Sequence, residues 1–202
     1  IGLIVSDLSN TSFADICRKI ENLSTEAGYL TIIGSSDDKK EKTDRLISKL
    51  MHTGVDGMII APCPDNDKAV RQLLERDVPV VFLDRDIEDI CGVGRVLVDN
   101  VIAGEKAAQI LVEQGFRKIM LVRYETQIRS LLDREVGYVN FMARMNLSPL
   151  VKIVGKDTMR NDMVSVLRNA VEDGVEAVIF PSNSITLAGI AAINRLGYHI
   201  PS

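Results

Sequence analysis

The sequence predicts an α/β protein built on parallel β-sheets. Short runs rich in β-branched and other apolar residues recur along the chain, as expected of buried strands. Most are separated by amphipathic helical patterns, which is the arrangement of βαβ units. The predicted strands are Gly2–Val5, Leu30–Ile33, Gly57–Ala61, Val80–Leu83, Val93–Val98, Ile119–Val122, Val151–Val154 and Ala177–Phe180.

Apolar stripes at helical spacing fill the segments between these strands. A stripe from Phe13 to Ala27 predicts the first helix, and it places Cys17 in the core. Later stripes with the same i, i+3, i+4 spacing predict further helices. They are Leu46, Ile47, Leu50 and Met51, then Met163, Val166, Leu167, Ala170 and Val171, and finally Ile185, Ala188, Ile193 and Leu196.

One interruption of this alternation predicts a boundary between two lobes. The strand Val80–Leu83 is followed by Asp84–Gly92, which has no helical pattern, and then by another strand. A chain can leave one sheet for another where the winding breaks. We therefore expect a first lobe at residues 1–98 and a second lobe at residues 99–202.

Composition limits the classes of function. The net charge is −4 and the basic residues are scattered, so these residues do not form a nucleic-acid footprint by themselves. We expect no membrane span, because no apolar run approaches the roughly 20 residues that one needs. Ile1–Val5 lacks the basic flank and cleavage pattern of a signal peptide. Three cysteines without metal-like spacing favour a reducing, cytoplasmic setting and no metal site.

The segment after the interruption carries the most specific pattern in the chain. Asp99 or Asn100 can cap the helix that follows, and Gly115 can end it. Small residues at positions 103, 104, 107 and 108 let that helix approach a sheet closely. This stretch resembles the V-D-N-x-x-(A)-G-x-x-x-A-x-x-L-x-x-x-G-x-x-x-I signature of the lactose-repressor (LacI/GalR) family of transcription regulators.

The resemblance implies a type I periplasmic-binding-protein-like fold, with two doubly wound lobes that bind a small effector between them. It also implies a homodimer, no cofactor, and operator DNA bound through an N-terminal headpiece outside this chain. It covers nearly all of this chain but only part of the family's effector domain. Because Gly197–Ser202 stops where another strand should begin, we expect the second lobe to be truncated.

Candidate ligand-binding residues follow the predicted strands, because ligands of open parallel sheets bind at the carboxyl ends of strands. Asp84 and Arg85 form the sharpest pair, since a carboxylate and a guanidinium can bind neighbouring sugar hydroxyls. A solvated ion pair or a turn cap is the alternative. The family's Val/Ile-Asp-Arg segment, which Leu83–Arg85 resembles, favours ligand contact. Tyr124 follows another strand and could offer a ring face.

The first loop resembles the family's D-x-S-N-P-F/Y-F pattern. Ser9, Asn10 and Phe13 match it, so the resemblance implies a hydrogen-bonding amide and a ring against the effector. Thr11 and Ser12 depart from it, because the proline and the first aromatic residue are missing. An N-capping role for Asn10 to Ser12 is the alternative.

Two further segments resemble family patterns in the second lobe. Arg134 begins an R-x-x-G-F/W pattern, whose arginine contacts the effector in the family, and a surface arginine is the alternative. Asn183 matches the asparagine of A-N-D-x-x-A-x-G, but Ser184 replaces the acidic residue. That loss of charge changes the helix cap or the effector preference.

Catalytic patterns are poor. His52 and His199 have no nucleophile partner at motif spacing, and Gly92–Gly94 lacks the third glycine of a dinucleotide loop. Asp37 and Asp38 precede two lysines and predict a helix start in a solvated charge run. We therefore predict a non-enzymatic effector-sensing domain for a sugar, a sugar derivative or a nucleoside-like molecule. A periplasmic sugar-binding protein of a transport system is the alternative, and an α/β enzyme is third.

Overall fold

The computed structural model describes residues 1–200, which contain two compact units. Unit 1 is Ile1–Val98, and unit 2 begins at Asp99. Each unit has its own parallel sheet with helices packed on it, so the predicted α/β class is confirmed. Pro201 and Ser202, which end the predicted final segment, lie outside the described residues.

Unit 1 holds a parallel sheet of five strands in the order β2-β1-β3-β4-β5. Strand β1, which lies between β2 and β3, is fully buried, and the strand order reverses there as in a doubly wound sheet. The elements are β1 (Gly2–Val5), α1 (Thr11–Glu26), β2 (Ile32–Ser35), α2 (Lys40–Thr53), β3 (Met58–Ile60), α3 (Asp67–Leu74), β4 (Val80–Leu83) and β5 (Gly94–Val96).

Unit 2 holds a parallel sheet of three strands in the order β7-β6-β8. Its helices pack in two pairs, α4 with α5 and α6 with α7. The elements are α4 (Asn100–Glu113), β6 (Ile119–Tyr124), α5 (Arg129–Arg144), β7 (Leu150–Val154), α6 (Met159–Glu172), β8 (Ala177–Ile179) and α7 (Asn183–Leu196).

Alternating side chains of the central strands form separate cores on the two faces of each sheet. In β1, Leu3 and Val5 pack with Phe13 of α1, whereas Ile4 packs with the apolar faces of α2 and α3. In β6, Met120, Val122 and Tyr124 join the α6 and α7 core, and Ile119 and Leu121 join the α4 and α5 core. The period of two along each strand therefore produces helical layers on both faces.

Six of the eight predicted strands have different bounds in the described part of the chain, and two of these differences have a visible reason. Strand β2 starts at Ile32 instead of Leu30, because pairing with β1 begins where Ile32 faces Gly2. Leu30 precedes this pairing and is 78% exposed. Strand β8 ends at Ile179, and the ring of Phe180 lies against Gly189 of α7.

Helix α4 is capped by Asp99, whose carboxylate accepts a hydrogen bond from the Ile102 amide at 2.9 Å. This resolves the choice between Asp99 and Asn100 as the cap. The helix ends at Glu113, and Gly115 follows with φ of +100°, a conformation that glycine adopts without strain. Within residues 1–200, none of the helices is both long enough and apolar enough to cross a membrane.

Helices α4 and α5 cross at two glycines. A Cβ atom added to Gly104 would overlap the backbone carbonyl of Arg134, and one added to Gly137 would overlap that of Val101. Neither position tolerates a side chain at this spacing, because the obstructing atoms belong to the backbone. The close approach predicted between α4 and a sheet is therefore, at Gly104, an approach to the backbone of helix α5.

Replacement of either glycine tests this crossing. Gly104→Ala and Gly137→Ala should each lower the free energy of unfolding by about 1 to 3 kcal/mol, because the helices must separate. Helix propensity alone predicts the opposite, an increase of about 1 kcal/mol in the free energy of unfolding. Denaturant melts decide the sign, with Lys106→Ala on the exposed face of α4 as the control. Stabilisation by the glycine variants would refute the close crossing.

Candidate functional site

Aspartates in the left-handed backbone region follow three of the strands of unit 1. Asp37 and Asp38 follow β2, Asp65 follows β3 and Asp84 follows β4, with φ values from 53° to 65°. Such conformations cost energy outside glycine, although aspartate tolerates them better than most residues. Because these carboxylates follow the carboxyl ends of parallel strands, this edge is a candidate binding surface.

Arg85 is the central cation of this edge. Its Nη1 donates a hydrogen bond to Oδ1 of Asp38 at 2.7 Å, whereas Asp84 Oδ2 lies 3.8 Å from its Nε. The Arg85 side chain is 11% exposed and that of Asp38 is 20% exposed. The principal partner of Arg85 is therefore Asp38 and not the neighbouring Asp84. Two carboxylates flank one guanidinium, so this cluster of three side chains can accept as well as donate hydrogen bonds.

This arrangement corrects the prediction of a solvated charge run for Asp38 but not for Asp37, which is exposed and pairs with Lys42 at 2.6 Å. Helix α2 begins at Lys40, and Asp38 turns towards Arg85. The two residues are 47 positions apart, so only the sheet brings them together. The sequence places Asp38 after a predicted strand, at an end where ligands bind in open parallel sheets, but it does not predict the contact with Arg85.

A buried polar network holds the loop that follows β3 against α2. Asn66 is fully buried, and its Oδ1 accepts a hydrogen bond from the Cys63 amide at 2.8 Å. Its Nδ2 donates to Asp44 Oδ1 at 2.7 Å. Cys63 is buried as well, with its Sγ 3.2 Å from Thr43 Oγ1. The network ties this loop to the first turns of α2, directly after the loop that carries Asp38.

The predicted contacts of the first loop cluster at the start of α1. Asn10 occupies the N-cap position and its Oδ1 accepts a hydrogen bond from the Ser12 amide at 3.1 Å, so the capping alternative is observed. Ser9 is exposed, and both its amide and its Oγ donate to Asp7 Oδ1. Phe13 is 7% exposed and belongs mainly to the core. Ligand contact by these residues stays a prediction.

In unit 2, Arg134 joins three elements. Its Nε donates to Asn100 Oδ1 at 2.9 Å, and its Nη1 donates to the Pro181 carbonyl at 2.5 Å. Asn100 begins α4, Arg134 lies in α5, and Pro181 lies between β8 and α7. Arg134 is half-buried, which rules out the alternative of a surface arginine.

A cavity of about 210 Å³ lies beside this arginine. Its walls are mainly apolar, and Arg134 and Ser182 supply the polar atoms of its side chains. The other lining residues are Ala103, Gly104, Ala107, Leu121, Ile179, Phe180 and Pro181. The small residues of α4 thus serve two purposes, the close helix crossing and the space next to Arg134.

Tyr124 lies in the core of unit 2, whereas Asn183 lies at the start of α7. Tyr124 is 7% exposed in the core of unit 2, and Lys156 Nζ lies 5.8 Å from the centre of its ring. Asn183 is the first residue of α7 and is half-buried. Ser184 leaves the first turn of α7 without an acidic residue, and Ser182 at the N-cap makes no side-chain cap bond. Ligand contact by Tyr124 and Asn183 stays a prediction.

The chemistry of these groups is that of binding to hydroxyl-rich molecules. Unit 1 offers carboxylate acceptors beside a guanidinium, and unit 2 offers a guanidinium held by neutral acceptors. Such groups form directional hydrogen bonds with vicinal hydroxyls. Across residues 1–200, no three His, Cys, Asp or Glu side chains are grouped so that they could hold a metal ion.

The chain is similar to known proteins in both sequence and fold. The family described as periplasmic binding protein domain matches residues 1–200. The ribose operon repressor of Halalkalibacterium halodurans is 27% identical over 207 residues, which cover 100% of this chain and 59% of the repressor. This chain therefore spans about three-fifths of the length of that relative.

Two solved structures share the fold. A candidate ribose operon repressor from Burkholderia thailandensis has a TM-score of 0.85 at 25% identity, covering 99% of this chain and 75% of that one. A LacI family transcriptional regulator from Enterococcus faecium with bound ribose has a TM-score of 0.85 at 20% identity, covering 99% of this chain and 73% of that one. The predicted periplasmic-binding-protein-like fold is thereby confirmed.

A double-mutant cycle tests the Arg85–Asp38 pair. Asp38→Asn and Arg85→Gln should show a coupling free energy of about 1 kcal/mol in the unfolding of the full-length protein, because both side chains are largely buried. Asparagine tolerates the left-handed backbone at position 38, so strain does not confuse the result.

The exposed pair Asp15–Arg18 is the matched control, since its side chains are 67% and 71% exposed. Asp15→Asn and Arg18→Gln should couple by no more than about 0.5 kcal/mol. Equal coupling in the two cycles would mean that Arg85 and Asp38 form only a solvated pair.

Proposed function

The chain belongs to the periplasmic binding protein domain family, and from that premise we propose that it is the effector-sensing part of a DNA-binding transcriptional regulator of the lactose-repressor type. The single observation that carries the proposal is the alignment of a ribose operon repressor with 100% of this chain. That relative is named for repression of an operon and not for transport or catalysis, which favours a regulator over a periplasmic transport protein.

The proposed mechanism is binding without reaction. A ligand shifts a two-state equilibrium by the difference in its affinity for the two states. The effector therefore changes the population of a DNA-binding conformation, and no bond in the effector is made or broken. In the regulators that this chain resembles, the DNA is bound by an N-terminal headpiece, and we extend that arrangement to the full-length protein.

The proposed effector is a small polar molecule of the sugar class. Arg85 with Asp38 and Asp84 supports this in unit 1, because a cation flanked by carboxylates can both donate to and accept from neighbouring hydroxyls. Arg134 supports it in unit 2. The proposed ligand-binding residues are Ser9, Asn10, Phe13, Asp84, Arg85, Tyr124, Arg134 and Asn183, to which we add Asp38 as the partner of Arg85.

The proposed location is the cytoplasm, where a regulator meets its DNA. The free thiols of Cys17, Cys63 and Cys91 support a reducing compartment. Cys17 and Cys63 are buried and Cys91 is exposed. None of the three forms a disulfide in the part of the chain that the structure describes.

We also propose a homodimer. Large apolar side chains are exposed on unit 1, near the end of α1 and along the edge strand β2, and a second copy would cover them. They are Leu23, Tyr29, Leu30, Ile32 and Ile33. Sedimentation of the full-length protein should show a dimer, and Leu30→Lys with Ile33→Lys should shift it towards monomer. A wild-type protein that stays monomeric at high concentration would contradict this proposal.

Calorimetric titration of the full-length protein tests the effector class. D-ribose is the first probe, followed by other pentoses, hexoses and ribonucleosides. Arg85→Ala and Arg134→Ala should each weaken binding of the active probe by about 10- to 100-fold, because each removes a charged hydrogen-bond donor. Arg144→Ala is the control, since that arginine of α5 pairs with Glu105 and is 58% exposed.

Two outcomes would count against the proposal. Wild-type affinity in both Arg85→Ala and Arg134→Ala would place the effector elsewhere. Fluorescence anisotropy with DNA from upstream of the protein's own operon separates a regulator from a transport protein. The active probe should change the affinity of the full-length protein for that DNA, and an unchanged affinity would refute the regulatory role.

A further inference from the structure

We infer that Asn100 is a positioning residue for effector binding, acting through Arg134; this inference rests on the proposed function. Asn100 is the first residue of α4 and is 8% exposed. The cap of α4 is supplied by Asp99, and the Asn100 side chain points its Oδ1 at Arg134 Nε, 2.9 Å away. The sequence predicts this asparagine only as an alternative cap, so its role appears first in the structure.

Two nitrogens of the Arg134 guanidinium, Nε and Nη1, donate hydrogen bonds within the protein, and the third, Nη2, is available to a ligand. Asn100 accepts from Nε, and the Pro181 carbonyl accepts from Nη1. Within residues 1–200, Nη2 donates to no described acceptor, so its N–H groups remain for a ligand. Two bonds from one planar group fix its orientation as well as its place.

The acceptors that hold Arg134 are both neutral. An amide oxygen and a backbone carbonyl orient the guanidinium without cancelling its charge, whereas a carboxylate would cancel it. Arg85 of unit 1 shows the other arrangement, with Asp38 and Asp84 beside it. Arg134 is therefore oriented by neutral groups, which suits it to bind acceptor oxygens of an effector.

The helix crossing makes this contact possible. An asparagine side chain is short, and it reaches Arg134 because Gly104 and Gly137 bring the backbones of α4 and α5 together. Arginine loses rotamer freedom when it is ordered, and ordering during folding removes that cost from binding. We expect the preordering by Asn100 to strengthen effector binding by about 10-fold.

The experiment compares Asn100→Ala, which removes the acceptor, with Asn100→Asp, which keeps it, in the full-length protein. D-ribose affinity is measured by calorimetry, and the Arg134 Nε–H group is followed by ¹H–¹⁵N NMR. Asn100→Ala should weaken D-ribose binding by about 10-fold and expose the Nε–H proton to rapid solvent exchange. Asn100→Asp should retain a protected Nε–H signal, and Asn140→Ala, at an exposed position of α5, should change neither readout.

A double variant separates positioning from a general structural effect. In the Arg134→Ala background, Asn100→Ala should cause no further loss of affinity, because the residue through which it acts is gone. A further loss of 10-fold there would overturn the inference, as would an unchanged Nε–H signal in Asn100→Ala. Should D-ribose fail to bind the wild-type protein, the proposed effector would be wrong, whereas the NMR comparison would still decide the role of Asn100.

Discussion

The close crossing of α4 and α5 is the constraint on which unit 2 depends. Gly104 and Gly137 leave no room for a Cβ atom, so each helix packs against the other's backbone. This distance lets Asn100 reach Arg134, and it places the small face of α4 beside the cavity that Arg134 lines. A single packing requirement thus determines the distance between α4 and α5, the orientation of the Arg134 side chain and the space beside that side chain.

The two units solve the problem of a partly buried arginine in different ways. Arg85 is neutralised by Asp38, and the loops around that pair are supported by the buried hydrogen bonds of Asn66. Arg134 is held by neutral oxygens instead. Burial of a charge is costly unless it is paired or hydrogen-bonded, and both arrangements meet that requirement. Only the second leaves the positive charge uncompensated for a ligand.

Local patterns in the sequence predict most of the fold. Strand β4 has its predicted bounds, Val80–Leu83, because Pro79 and Asp84 flank a short apolar run. The start of α4 is also predictable, since a capping residue precedes small and apolar residues at helical spacing. The shift of β2 is not predictable from its apolar run, because pairing with β1 decides where the strand begins.

The sequence predicts the site less completely than the fold, since the contacts of the site join residues distant in sequence. The Arg85–Asp38 pair and the Arg134–Asn100 pair span 47 and 34 positions. The aromatic candidates Phe13 and Tyr124 lie mainly in cores, because apolar burial competes with exposure to a ligand. The Asp38 and Asn100 contacts become visible only when the sheets and helices are assembled.

A crystal structure of the full-length protein with its effector bound tests the central claim most directly. The account predicts that Arg134 keeps its Nε on Asn100 and its Nη1 on Pro181, while Nη2 donates to an oxygen of the effector at about 3 Å. An effector that binds without touching Arg134, or an Arg134 side chain that leaves Asn100 to reach it, would contradict the account.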